Sequence, residues 1–123
     1  SIASNQVVSL IAMAVELLKE AGISEQSAYG LLKPLVENNV QSIFEQKEGK
    51  YRGCAKALTG PIERGDLQTD QKHLQHMDRL QWEHSYRAVG TLTAELAETK
   101  HPERDYAEMK KILESNAVSA PNM

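Results

Sequence analysis

The chain has 123 residues, 41% hydrophobic, 25% charged and only 5% aromatic, with a formal net charge of -3. A chain of this length can bury one core without disulfide or metal, and with so few aromatics Leu, Val, Ile, Met and Ala must fill it, which favours helices over a sheet sandwich. Basic residues are scattered among acids, which disfavours a nucleic-acid interface, and Cys54 alone excludes an internal disulfide or multi-cysteine zinc site.

In chain order, Ala3 to Ala21 reads as a helix ended by Gly22, with Val7, Ile11, Ala14, Val15 and Leu18 on one face. Val8, Leu10, Met13 and Leu17 add apolar surface elsewhere, so this helix is expected at the centre or at a contact with a second copy. Its apolar run, Val7 to Leu18, falls short of the about 20 residues of a membrane helix, and no signal peptide is expected. With a cysteine usage compatible with a reducing compartment, the expectation is a cytoplasmic protein with no membrane partner.

Ser24 is placed to cap a second helix carrying Ala28, Leu32, Leu35, Val36, Val40 and Ile43. Pro34 predicts a kink near Leu31 to Pro34, or two shorter helices in line. Gln46 to Arg52 reads as a loop. LTGPIERGD at Leu58 to Asp66 reads as a structured turn, with one helical turn at Pro61 to Arg64 and Asp66 capping the next helix. That third helix, from Leu67 to about Arg79, directs Leu67, Leu74 and Met77 inward. A fourth, from about Trp82 to Lys100, carries the stripe Trp82, Tyr86, Val89, Thr93 and Leu96. Pro102 interrupts the chain, and a last helix from Glu103 to Glu114 offers Tyr106, Met109 and Leu113. Ser115 to Met123 reads as a frayed tail. No segment alternates with period 2. The expectation is a single all-α domain over residues 1–123, a bundle of about five helices.

Several motifs carry a bland reading beside a chemical one. Gly60 to Gly65 has P-loop spacing, but Asp66 and Leu67 stand where Lys and Ser or Thr would, and no strand precedes it. No G-x-G-x-x-G fingerprint occurs, so this chain by itself is not expected to bind NADP. The Arg64-Gly65-Asp66 tripeptide reads more simply as a helix cap. His73 and His76, with Asp70, could share a metal, but they fall short of a defined ligand set and no metal site is expected. Cys54 fits a small buried hydrophobe better than a nucleophile. Ser4 with His73 or His84 lacks a nucleophile-elbow sequence.

Taken together, Ala-Ser-Asn at Ala3 to Asn5, the LKPLVE run at Leu32 to Glu37, LTGPIERGD and His73 resemble one family. It is the C-terminal domain of unknown function that follows a Rossmann-like domain in proteins predicted to be NADP-dependent oxidoreductases. The resemblance spans roughly Ala3 to Leu96 and implies a fold like the C-terminal domain of 6-phosphogluconate dehydrogenase, with pyrroline-5-carboxylate reductase and ketopantoate reductase as more distant analogues. It implies a Rossmann domain, absent from this chain, that holds NADP, while the helical domain closes the substrate side of the cleft and forms a homodimer.

By that resemblance Ser4 and Asn5 face the cleft, and Thr59, Gly60, Pro61, Arg64 and Asp66 form the opposing loop. The residues agree in kind: Arg64 offers a planar fork for a carboxylate or phosphate, and the Asn5 amide can orient a carbonyl or hydroxyl. Arg64 is therefore expected to clamp a small anionic substrate, Asn5 to orient it and His73 to support the site or donate a proton. The family has further residues, including a His, upstream of Ala3; with Ser at position 1 and a helix starting at once, a trimmed or separately expressed domain of a longer chain is expected. Two other readings compete: a non-catalytic helical protein-interaction module, and a small metal-dependent helical enzyme using Asp70, His73 and His76.

Overall fold

The computed structural model describes residues 1–45 and 52–119. They form seven α-helices, five of them of seven residues or more, and no strand occurs among the described residues. The protein is an all-α helical bundle. The chain divides into two compact units, Ser1–Gln41 and Ser42–Met123.

The first unit opens with a π-helical turn, Ile2–Gln6, that runs directly into α1, Val7–Glu20. The combined stretch Ile2–Glu20 is 19 residues, long and apolar enough by length and composition to cross a bilayer, because the helix extends beyond the run Val7 to Leu18 at both ends. Gly22 ends α1 as expected. At φ 94° it takes the left-handed conformation, and the amides of Gly22 and Ile23 return to the carbonyls of Lys19 and Leu18 at 3.0 Å each. That paired pattern satisfies carbonyls the helix end would leave bare.

Ser24 then caps α2, Glu25–Glu45, its hydroxyl accepting from the Ser27 amide at 3.2 Å. The helix runs without interruption through Pro34, so the expected pair of shorter helices is one element. Pro34 has no N–H for the carbonyl of Gly30, four residues back. Both residues are exposed, so water can serve that carbonyl. Within this unit Val15 and Ala28 are buried, whereas Leu31 and Leu35 are 57% and 56% exposed. Ile11, Tyr29, Leu32, Lys33, Val36 and Glu37 line a largely apolar groove of about 330 Å³.

The second unit begins in α2. The loop expected at Gln46 to Arg52 lies, up to residue 51, outside the described residues; Arg52 itself opens α3, Arg52–Ala57, a short helix the sequence pattern does not signal. Then come α4, Pro61–Arg64, α5, Leu67–Gln75, α6, Leu80–Lys100, and α7, Ala107–Ser119. α5 stops one turn earlier than expected. α7 starts four residues later and takes in 115–119, read from sequence as tail; residues 120–123 lie outside the described ones.

Ile62, Ala94, Ala97, Tyr106, Met109 and Leu113 form the core of this unit, with Leu58, Leu67 and Tyr86 packed against it. The expected stripe on α6 is corrected. Trp82 is buried, but the line continues through Gly90, Ala94 and Ala97, and Val89 is exposed. Small residues carry this line because α7 comes close: a Cβ on Gly90 would lie 2.8 Å from Leu113 Cδ2 and 3.3 Å from Ile62 Cδ1. Arg87 stitches the same two helices, donating to the Ile112 and Leu113 carbonyls and pairing with Glu83 at 3.1 Å. The Arg79 guanidinium lies 4.6 Å above the ring of Trp82.

Candidate functional site

The turn between α3 and α5 is shaped by its glycines. Gly60 has φ 102° and ψ -174°, a region only glycine enters without strain, and Gly65 has φ 73° in the left-handed well. A Cβ at either position would meet nothing within 4 Å, so backbone conformation and not crowding within the chain requires glycine. Pro61 starts α4, where its fixed φ suits a first helical residue and its missing N–H has no acceptor to disappoint.

One side of this turn is tied down. Glu63 Oε1 lies 3.0 Å from His101 Nε2 and 3.1 Å from Lys100 Nζ. Lys100 also donates to the Leu58 carbonyl at 2.7 Å, and Tyr106 and Arg104 donate to the Glu63 carbonyl. The hydrogen bond from His101, joined by those and the charge of Lys100, holds the Glu63 carboxyl below its ordinary range against the opposing effect of burial.

Arg64 stands outside this cluster. Its side chain is 58% exposed and makes a loose pair with Asp66, Nη2 to Oδ2 3.8 Å. Such a pair is screened by water and engages little of the five-donor fork, leaving it suited to an anion. Asp66 is committed to capping α5: it accepts from the Thr69 amide at 3.1 Å and the Thr69 hydroxyl at 2.6 Å. These bonds, the hydroxyl first, hold its carboxyl below the usual value. Thr59 is exposed, and Gly60 and Pro61 are half-buried.

Residues 66, 70 and 73 share one face of α5 by helical spacing. His73 is exposed, yet its Nδ1 lies 3.1 Å from the hydroxyl of Tyr86 on α6, with the rings edge to face, 6.0 Å apart at 89°. The same hydroxyl donates to Asp70 Oδ1. Asp70 is fully buried, and its Oδ2 has no hydrogen-bond partner among the described residues. Burial first, then the hydrogen bond and charge of Asp70, push the Tyr86 hydroxyl well above its usual range, so it stays protonated.

Asp70 and His73 thus meet through Tyr86. His76 turns elsewhere, its Nδ1 2.7 Å from the Lys72 carbonyl. No group of three or more His, Cys, Asp or Glu side chains that could hold a metal occurs among the described residues. Ser4 and Asn5 belong to the first unit. Both are exposed in the π-helical turn, where the Ser4 hydroxyl lies 2.7 Å from that of Ser1 and the Asn5 carbonyl accepts from Ser9. Cys54 on α3 is exposed, which corrects its reading as a buried hydrophobe; a six-residue helix hides little surface.

Sequence reasoning overlooks Tyr86 as a polar partner and the Glu63–Lys100–His101 cluster. The i, i+3 spacing of Asp70 and His73 is a usable signal. The partners 13 and 38 residues apart along the chain have none before folding.

A family model described as Domain of unknown function (DUF2520) matches residues 1–93, and the chain belongs to that family. Searches of curated proteins and of solved structures gave no match.

Proposed function

We propose that this member of the family is the substrate-side and dimerisation domain of an NADP-dependent oxidoreductase, with Arg64 clamping a small anionic substrate. The observation that carries the reading is the contrast in exposure and partners between neighbours on one turn. Glu63 is fastened to Lys100 and His101, while the adjacent Arg64 presents its guanidinium to solvent. A rigid base beneath an outward fork lowers the ordering cost of gripping a planar anion. His73, two helical turns beyond Asp66 on the same face of α5, supplies a group able to exchange protons.

The nucleotide belongs to another domain in this reading. The sequence lacks the G-x-G-x-x-G fingerprint of a Rossmann-type dinucleotide site. The kinship with 6-phosphogluconate dehydrogenase rests on the sequence resemblance.

Anion titration followed through the Arg64 side-chain NMR signal tests the reading, with citrate and inorganic phosphate as probes. Saturable shifts that vanish in Arg64→Ala, in a protein of unchanged helicity, are expected, together with a dimer by light scattering. A strict monomer at high concentration that ignores both anions overturns it. The non-catalytic interaction module is favoured by one observation, the exposed Leu31 and Leu35 on α2; a dimer would cover such a face equally well.

A further inference from the structure

We infer that Asp70 and Tyr86 are positioning residues that fix the tautomer of His73, making its Nε2 the proton-accepting atom of this domain. The inference deepens the proposed function and rests on it for the substrate, a small anion bearing a hydroxyl or carbonyl oxygen. The tautomer itself is a property of this chain.

The available hydrogens decide it. A carboxylate can only accept, so the single hydroxyl hydrogen of Tyr86 goes to Asp70 Oδ1. The Tyr86 oxygen then has only lone pairs to offer His73 Nδ1, 3.1 Å away. Nδ1 must carry a hydrogen, and in the neutral ring the lone pair falls to Nε2. Asp70 is completely buried, which fixes where the relay ends, whereas His73 is exposed, which places the accepting nitrogen where a substrate can reach it.

When Nε2 takes a proton from a substrate hydroxyl, the ring becomes an imidazolium that still donates from Nδ1 to Tyr86. The charge is offset through the Tyr86–Asp70 hydrogen bond, and no proton leaves Tyr86, whose hydroxyl is hard to ionise. In the reverse direction the same Nε2–H returns that proton to the substrate oxygen. An Asp–His pair does this by direct contact in other enzymes; here a tyrosine hydroxyl stands between, and the second Asp70 oxygen is left buried without a partner among the described residues.

The test is long-range ¹H–¹⁵N correlation on the full labelled chain above the titration range of histidine. His73 is expected as the Nδ1–H tautomer, and Tyr86→Phe is expected to return it to the Nε2–H form that free imidazole side chains prefer, with helicity unchanged. If Tyr86→Phe unfolds, Asp70→Asn provides the second variant. Its amide can donate to the Tyr86 oxygen, turning the hydroxyl toward Nδ1 and producing the same switch. An Nε2–H tautomer in the unaltered chain overturns the inference, as does an Nδ1–H tautomer that survives the substitution. Either result leaves anion binding at Arg64 untouched, so the two readings fail separately.

Discussion

Glu63 is held by Lys100 and His101 and its side chain is only 12% exposed, so removing either partner should be felt directly. Its folded carboxyl titrates below the ordinary value of 4.5. A carboxyl depressed in this way contributes stability above its unfolded pKa, and that contribution is lost as pH falls through the lower folded value. Asp66, depressed from 3.8, acts with the same sign. Urea midpoints should therefore hold from neutral pH down to the mid-fours and then fall. Lys100→Met should lower stability at pH 7 by about 1.5 kcal/mol, the scale of a charge-assisted hydrogen bond, and make the acid limb shallower. An acid limb identical to that of the unaltered chain would show that Glu63 gains nothing from Lys100.

For the elements, the contact between α6 and α7 sets two effects against each other at Gly90. Alanine there gains up to about 1 kcal/mol in helix propensity. Its Cβ at 2.8 Å from Leu113 Cδ2 must displace that side chain, and overpacking costs about 1–3 kcal/mol. Gly90→Ala is expected near neutral, whereas Gly90→Leu, with no comparable relief, should lower stability by at least about 2 kcal/mol in thermal melts. On α2 the balance runs the other way. Pro34→Ala restores a hydrogen-bond donor at an exposed site, so it should raise helicity and stabilise by about 2 kcal/mol, after the lost rigidity of the unfolded chain is subtracted. A lower melting temperature would mean that Pro34 serves a contact this helix needs.

Local signals were legible in advance. Ser24, Gly22 and Asp66 cap or end their helices, and each does what its residue type suggests. So were the large core residues Tyr106, Met109 and Leu113, whose spacing marks one face. The α6 stripe was legible at Trp82 and Tyr86 but not beyond, because Gly90, Ala94 and Ala97 carry little hydrophobic signal, although their smallness lets α7 approach. Of the candidate site, the turn and Arg64 were visible as glycine and charge. The Tyr86 contact with His73 and Asp70 was hidden, because it joins two helices whose packing only the fold decides.

Across the whole molecule, burial is unequal between the two units. The second holds the connected core around Ile62, Ala94 and Leu113, while the first buries Val15 and Ala28 and leaves several large apolar side chains exposed. Amide protection tracks such differences, since segments with few buried contacts open at lower free energy. Hydrogen exchange should therefore be slowest in α6 and α7 and faster in α1 and α2. The reverse order would show that α1 and α2 are covered in solution, as a dimer or a bound partner would cover them. A rise in their protection with protein concentration would identify that cover as a second copy.

Trp82 is the sole tryptophan, is buried, and lies beneath the Arg79 guanidinium. Its emission therefore watches the start of α6, inside the second unit. Far-ultraviolet circular dichroism, by contrast, sums every helix. Overlaying the two signals during denaturation would reveal, without any mutation or label, whether the halves melt in concert or in succession.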